Sequence, residues 1–131
     1  MNYRKLVIIL LSISVFGFFL PWFYFSKSVD YSTGWNFVLN SPIIIVGLFA
    51  SSILISIPNH TKGQYISTLI FLSIIPITCI YLFFTWHVLT ITGKIELETS
   101  LSTTHYGFYI TLISSSLATI VYSIKGLKES R

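Results

Sequence analysis

Residues 65–86 read YISTLIFLSIIPITCIYLFFTW. These 22 residues contain no Asp, Glu, Lys or Arg. As a helix rising about 1.5 Å per residue, they reach about 33 Å, enough to cross a hydrocarbon core of about 30 Å. The apolar run is continuous, where a barrel strand would alternate over about ten residues. In lipid a continuous run must be helical, because no solvent pairs an open backbone. The segment is therefore read as a membrane span of about 65–90, with an apolar tail reaching toward Thr92. Pro76, near its middle, removes one helical hydrogen bond and marks an expected kink.

Three further apolar blocks flank it. The first covers about 6–25 and follows Arg4-Lys5. It is longer than the apolar region of a signal peptide, and bulky Pro21-Trp22-Phe23-Tyr24 stands where a cleavage site needs small residues. It is read as an uncleaved helix. The second covers 42–58, with Pro42 suited to a helix first turn and Pro58 to its stop. This span is short and should stand nearly upright. The fourth covers 106–124. Polar loops are expected at 26–41 and 93–105, with a tight turn at 59–64. The expected fold is an all-α membrane protein: a single domain forming a four-helix transmembrane bundle, with N- and C-termini cytoplasmic.

Composition agrees. Of 131 residues, 53% are hydrophobic, 17% aromatic and 9% charged. Mean hydropathy is +0.80. Soluble domains carry about 25% charged residues, so this chain has too few to cover a water-facing surface. The net charge is +4. Its basic residues flank the apolar blocks, which argues for topology and against a nucleic-acid partner. With the N-terminus inside, Arg4, Lys5, Lys62, Lys125, Lys128 and Arg131 are cytoplasmic, and only Lys27 and Lys94 are outside. Asp30, Glu96 and Glu98 also fall outside. Trp22, Tyr24, Trp86 and Tyr106 form an outer aromatic belt, and Tyr3, Tyr65 and Tyr122 an inner one. Asn59-His60-Thr61 matches a glycosylation acceptor, which would need the opposite side. The turn is too tight against the bilayer to be a good acceptor, so it is assigned to the cytoplasm. Cys79 has no second cysteine to pair with and is read as a small buried hydrophobe.

Chemistry-bearing residues are few. No charged side chain lies within a span, which counts against proton-coupled transport and an intramembrane aspartate protease. His87, Glu96, Glu98 and His105 could gather at the outer surface around a divalent metal or a reacting group. The plainer reading is a solvated loop with an interfacial histidine at each end, and neither cofactor nor metal is assigned. Ile95-Glu96-Leu97-Glu98 alternates as a short strand or interfacial segment would. Trp35 and Phe37, in the first outer loop, are read first as interfacial anchors and second as candidate partner contacts. Gly47 with Ser51 and Ser114 with Ala118 are four apart, the spacing that lets helices pack closely. Those faces serve the bundle itself, a homo-oligomer or a partner.

Three functions are carried forward. The first is a non-enzymatic accessory, interaction or protective (immunity-type) protein of a bacterial cytoplasmic membrane, with the lipid bilayer and another membrane or secreted protein as partners. The second is a small transporter or channel for a neutral or apolar solute, motivated by the proline in the third span. The third is an outer-leaflet enzyme using His87, Glu96, Glu98 and His105.

Overall fold

The structure, a computed structural model, describes residues 2–24, 31–58, 61–88 and 93–129. Lys27, Asp30, Arg131 and most of the Asn59-His60-Thr61 acceptor pattern lie outside them. Six helices and a two-stranded sheet follow in the order α1 (Tyr3–Gly17), β1 (Pro21–Tyr24), β2 (Tyr31–Thr33), α2 (Gly34–Asn40), α3 (Ile43–Ser56), α4 (Lys62–Thr85), α5 (Leu97–Thr103) and α6 (Tyr106–Glu129).

Among the described residues two helices, α4 and α6, are long and apolar enough to cross a membrane. The α2–α3 pair passes the same test only if its two parts, bent by 91°, are one span. With 15 residues, α1 rises only about 22 Å and falls short of a bilayer core.

The first expected span, 6–25, is corrected. Its helix ends at Gly17, and the chain turns at residues 18–20 into the strand Pro21–Tyr24. Pro21 explains the stop, because it has no N–H to give the carbonyl four residues earlier. That carbonyl, Gly17 O, instead accepts from the Trp22 indole Nε1 at 2.9 Å. The loops expected at 26–41 and 93–105 contain β2 with α2, and α5. The alternating Ile95–Glu98 segment is no strand but the approach to α5 and its first two residues.

The local signals at the remaining ends are ordinary capping chemistry. Asn2 accepts from Arg4 N at the start of α1. Thr61 and Gln64 form a reciprocal capping box on α4. The α2–α3 bend sits at Ser41-Pro42. Ser41 N donates to Phe37 O and Val38 O, closing α2. A residue before proline is pushed out of helical conformation, so the new helix leaves in a new direction.

The four longest helices pack in series: α1 on α6, α6 on α4, and α4 on α3. The circuit is not closed, since α3 and α1 barely touch. Tyr3, Tyr65 and Tyr122 meet at one end, with ring centroids 5.5–6.0 Å apart. There Arg4 Nη1 also donates to Ile57 O and Pro58 O at 3.2 and 3.1 Å. The opposite end carries Trp22, Phe23, Trp86 and Phe108.

The interhelical surfaces mix small polar residues with aliphatic ones such as Leu72 and Ile75, while the outer faces are large and apolar. Ser14, Ser51, Thr68, Thr111, Ser114 and Ser115 are buried, and Phe16, Phe49, Ile53, Ile77, Ile113 and Ile120 are exposed. In a bilayer such helices gain little from burying more hydrocarbon and associate through close packing and interhelical hydrogen bonds. The α1–α6 seam uses both: Ser14 Oγ meets Ser114 Oγ at 2.6 Å, and Thr111 Oγ1 donates to Ser14 O at 3.1 Å. Gly17 abuts Thr111 Oγ1 in the same seam, leaving no room for a Cβ.

Candidate functional site

Two places on this fold could meet another molecule: a folded cap at the Trp22–Trp86 end, and a cleft on the side.

The cap is built from β1, β2, α2 and α5. Antiparallel pairing joins Phe23 to Ser32 and Tyr24 to Tyr31. Thr104 bridges Phe23 from the other side, and His105 N donates to Trp22 O at 2.7 Å. Strand β1 is thereby held between β2 and the chain entering α6. Its side chains form the hub of an aromatic cluster. The Trp22 ring lies parallel to Phe37 at 6.2 Å and edge-on to Phe108 at 5.5 Å. Phe23 stacks on Trp86 at 4.6 Å. Such pairs are each worth about 0.5–1.5 kcal/mol beyond the area they bury. Gly34 lies against the Trp22 indole, where any side chain would collide with the ring. That fixes how closely α2 approaches β1.

Trp35 and Phe37 are thus on a helix, not in a free loop. Trp35 is half-buried, edge-on to Phe18 at 5.7 Å and Phe19 at 5.4 Å. Phe37 belongs to the aromatic cluster. The exposed large apolar side chains of the cap are others: Tyr31 at 53%, Leu39 at 66%, and Leu97 and Leu101 at 55% each.

His87 is fully buried just beyond α4, with Nε2 2.8 Å from Ser100 Oγ of α5. Ser100 Oγ donates to Glu96 O at 3.1 Å. When the hydroxyl donates to Glu96 O it accepts from His87 Nε2–H, and in the other tautomer it donates to that nitrogen instead. The pair reads as a latch holding α5 to the end of α4.

Glu96 turns outward. Its carboxylate pairs with Lys94 Nζ at 2.9 Å and accepts from Thr99 Oγ1 at 3.0 Å. The Lys94 hydrogen bond, then that of Thr99, holds this carboxyl below the usual range, and Glu96 in turn raises Lys94. Glu98 is exposed on α5. His105 lies against Tyr24 and Tyr106, with ring centroids 4.8 and 4.3 Å away. Its Nδ1 is buried without a hydrogen-bond partner among the described residues. The structure thus sends His87 to α5 and His105 to β1. Among the described residues, no three His, Cys, Asp or Glu side chains come together as a metal site would need.

Compared with protein-family models, with curated proteins and with solved structures, the chain matches none.

The cleft opens where α1 and α3 fail to pack. It encloses about 360 Å³. Ile8, Leu11 and Val15 form one wall and Ile45, Leu48 and Phe49 the other. Phe18 and Trp35 line it as well, so the half-buried face of Trp35 belongs to this space. The Ser12 hydroxyl lines it too, but donates to Ile8 O at 2.9 Å within its own helix.

The remaining residues singled out for packing lie between helices of this chain. A Cβ at Gly47 would sit 3.0 Å from Phe71 O of α4. Ser51 Oγ donates back to Gly47 O at 2.6 Å. Ser114 faces Ser14, and Ala118 is fully buried. Two residues central to the arrangement, Trp22 and Arg4, carried no functional weight in the sequence reading. The Pro21 before Trp22 was the available signal, since a span-ending proline leaves a carbonyl that some donor must meet. Nothing in the sequence pairs Ser100 with His87.

Proposed function

We propose that the chain is a four-span protein of the bacterial cytoplasmic membrane, with both termini in the cytoplasm. It acts without catalysis, as an accessory or protective protein that contacts another membrane or secreted protein from outside. In this reading α1, α3, α4 and α6 are the spans, and α2 belongs to the cap. The orientation is supported by charge: Arg4, Lys5, Lys62, Lys125 and Lys128 lie toward the end opposite the cap.

The observation that carries the reading is the cap. A protein needing only four helices in lipid has no use for a hairpin and two short helices fastened by an aromatic cluster. This cap also presents Tyr31, Leu39, Leu97 and Leu101 outward. Fixed apolar side chains on a rigid support form the kind of surface on which binding energy concentrates.

The test is in-cell photo-crosslinking from position 101, with position 113 on the lipid-facing side of α6 as control. Capture of one membrane or secreted protein at 101 but not at 113 supports the reading. The same pattern at both positions, or capture of lipid alone at 101, overturns it.

A further inference from the structure

The cleft between α1 and α3 has a definite chemical polarity along its length. Its outer end is lined by Phe18 and Trp35. Its middle is hydrocarbon apart from Ser12 and Ser52. At its foot stands the positive charge of α1. Arg4, Ile8, Leu11 and Val15 recur at helical spacing, as do Lys5, Ile8 and Ser12, so both basic residues lie on the same side of α1 as the cleft wall, one turn before its first lining residue, Ile8. Arg4 reaches across to the end of α3, where Nη1 donates to Ile57 O and Pro58 O. It thus fixes a guanidinium at the place where the two helices come together. Lys5 is exposed beside it.

An occupant that fits this space is an apolar chain with a negative head. We infer that the cleft binds one anionic glycerophospholipid of the cytoplasmic leaflet, its acyl chain between α1 and α3 and its phosphate at Arg4 and Lys5. Basic groups between helices on the cytoplasmic side are the known chemistry of such headgroup sites. A neutral solute would gain nothing from the two cationic side chains beside the foot of the cleft. A partner helix would need an acidic residue at that depth, which is costly in a membrane. The inference rests on the membrane placement above but not on any partner of the cap.

The test uses the full chain in nanodiscs and two photoactivatable lipids, phosphatidylglycerol and phosphatidylcholine, with the same diazirine-bearing acyl chain. The expected result is labelling concentrated on the peptides of α1 and α3, several-fold stronger with phosphatidylglycerol. Removing one juxtamembrane charge should lower that preference about five-fold. Lys5→Gln is the first variant, because it leaves the Arg4 contacts to α3 intact. Arg4→Gln is the second, read only if its near-ultraviolet spectrum stays native. Ser52→Phe, which fills the cleft, should reduce labelling of α1 and α3 by both lipids. Three results would overturn the inference: equal labelling by the two lipids, labelling spread evenly onto the outer face of α6 at Ile113 and Ile120, or a crosslinked second copy with α1 and α3 unlabelled. Outer-cap crosslinking that fails while phosphatidylglycerol labelling succeeds would remove the partner reading and leave this one standing.

Discussion

The hydroxyl of Thr119 lies 3.3 Å from the carbonyl oxygen of Leu72 on the neighbouring helix. Leu72 is four residues before Pro76, so its carbonyl is the one the proline leaves without a helical donor. Thr119 also donates to Ser115 O at 2.9 Å, so a single proton is shared between its own helix and α4. Membrane helices tolerate proline when a neighbour's serine or threonine satisfies the freed group in this way. Thr119→Val keeps the shape and removes the donor. It should cost about 0.5–1.5 kcal/mol of stability in detergent. In a Pro76→Ala background, where residue 76 regains its N–H, the same change should cost almost nothing. Equal costs in both backgrounds, measured by reversible unfolding, would show that Thr119 does not serve the proline.

Gly47 makes a different demand on the α3–α4 seam. A methyl group there would meet Phe71 O at 3.0 Å, and backbone cannot swing aside as a side-chain tip can. Gly47→Ala should destabilise the protein by about 1–3 kcal/mol. Gly63→Ala, in the exposed first turn of α4 with only Thr61 Oγ1 at 3.9 Å, should be neutral or stabilising. Thermal unfolding of the two variants side by side distinguishes close packing from a general glycine effect.

The latch between His87 and Ser100 should appear as an energetic coupling. Residues sharing a buried hydrogen bond couple by about 0.5–3 kcal/mol in a double-mutant cycle. Ser100→Ala and His87→Phe, alone and together, form that cycle, with solubilised-protein stability as readout. A coupling under about 0.5 kcal/mol would make the two side chains neighbours rather than partners. Loosening the latch should also expose the α5 backbone to hydrogen exchange before the helices change.

Glu96 supplies a pH dependence in the segment between α4 and α6. Its folded-state titration is depressed, first by Lys94 and then by Thr99. A depressed carboxyl adds order that is present above the ordinary glutamate range of about 4.3 and lost as pH falls through the lower folded value. Local order at residues 93–100 should therefore decline only in clear acid, and the carboxyl resonance of Glu96 should follow it. Lys94→Gln should raise that midpoint, and Thr99→Val should raise it less. No movement in the lysine variant would show that the pair at 2.9 Å does not persist in solution.

Hydrophobic runs made α4 and α6 readable, because a span without charge has few alternative forms in lipid. The small residues were legible as packing faces for the same reason: Gly47 and Ser114 sit where only small groups allow helices to meet. The first block was read too far, to residue 25. Apolarity persists past Pro21, and the proline's effect depended on an indole one residue later turning back to Gly17 O. The cap was not legible. Its strands and helices are 3–7 residues long, and their stability comes from contacts between Trp22, Phe37, Trp86 and Phe108, which lie far apart in the chain. The pairing of His87 with Ser100 depends on the same closure.

The two helices that border the cleft are also the short ones. At 15 and 14 residues, α1 and α3 rise about 22 and 21 Å, while α4 and α6, at 24 each, rise about 36 Å. The helical height of the protein is therefore unequal around its circumference. Lipid beside α4 and α6 can keep its full thickness, but lipid beside α1 and α3 must compress or carry shorter chains. Such mismatch costs fractions of a kcal/mol per Å and is relieved when short flanks meet. The molecule should accumulate in thinner bilayers, and in thick ones it should gather with its α1–α3 side turned away from bulk lipid.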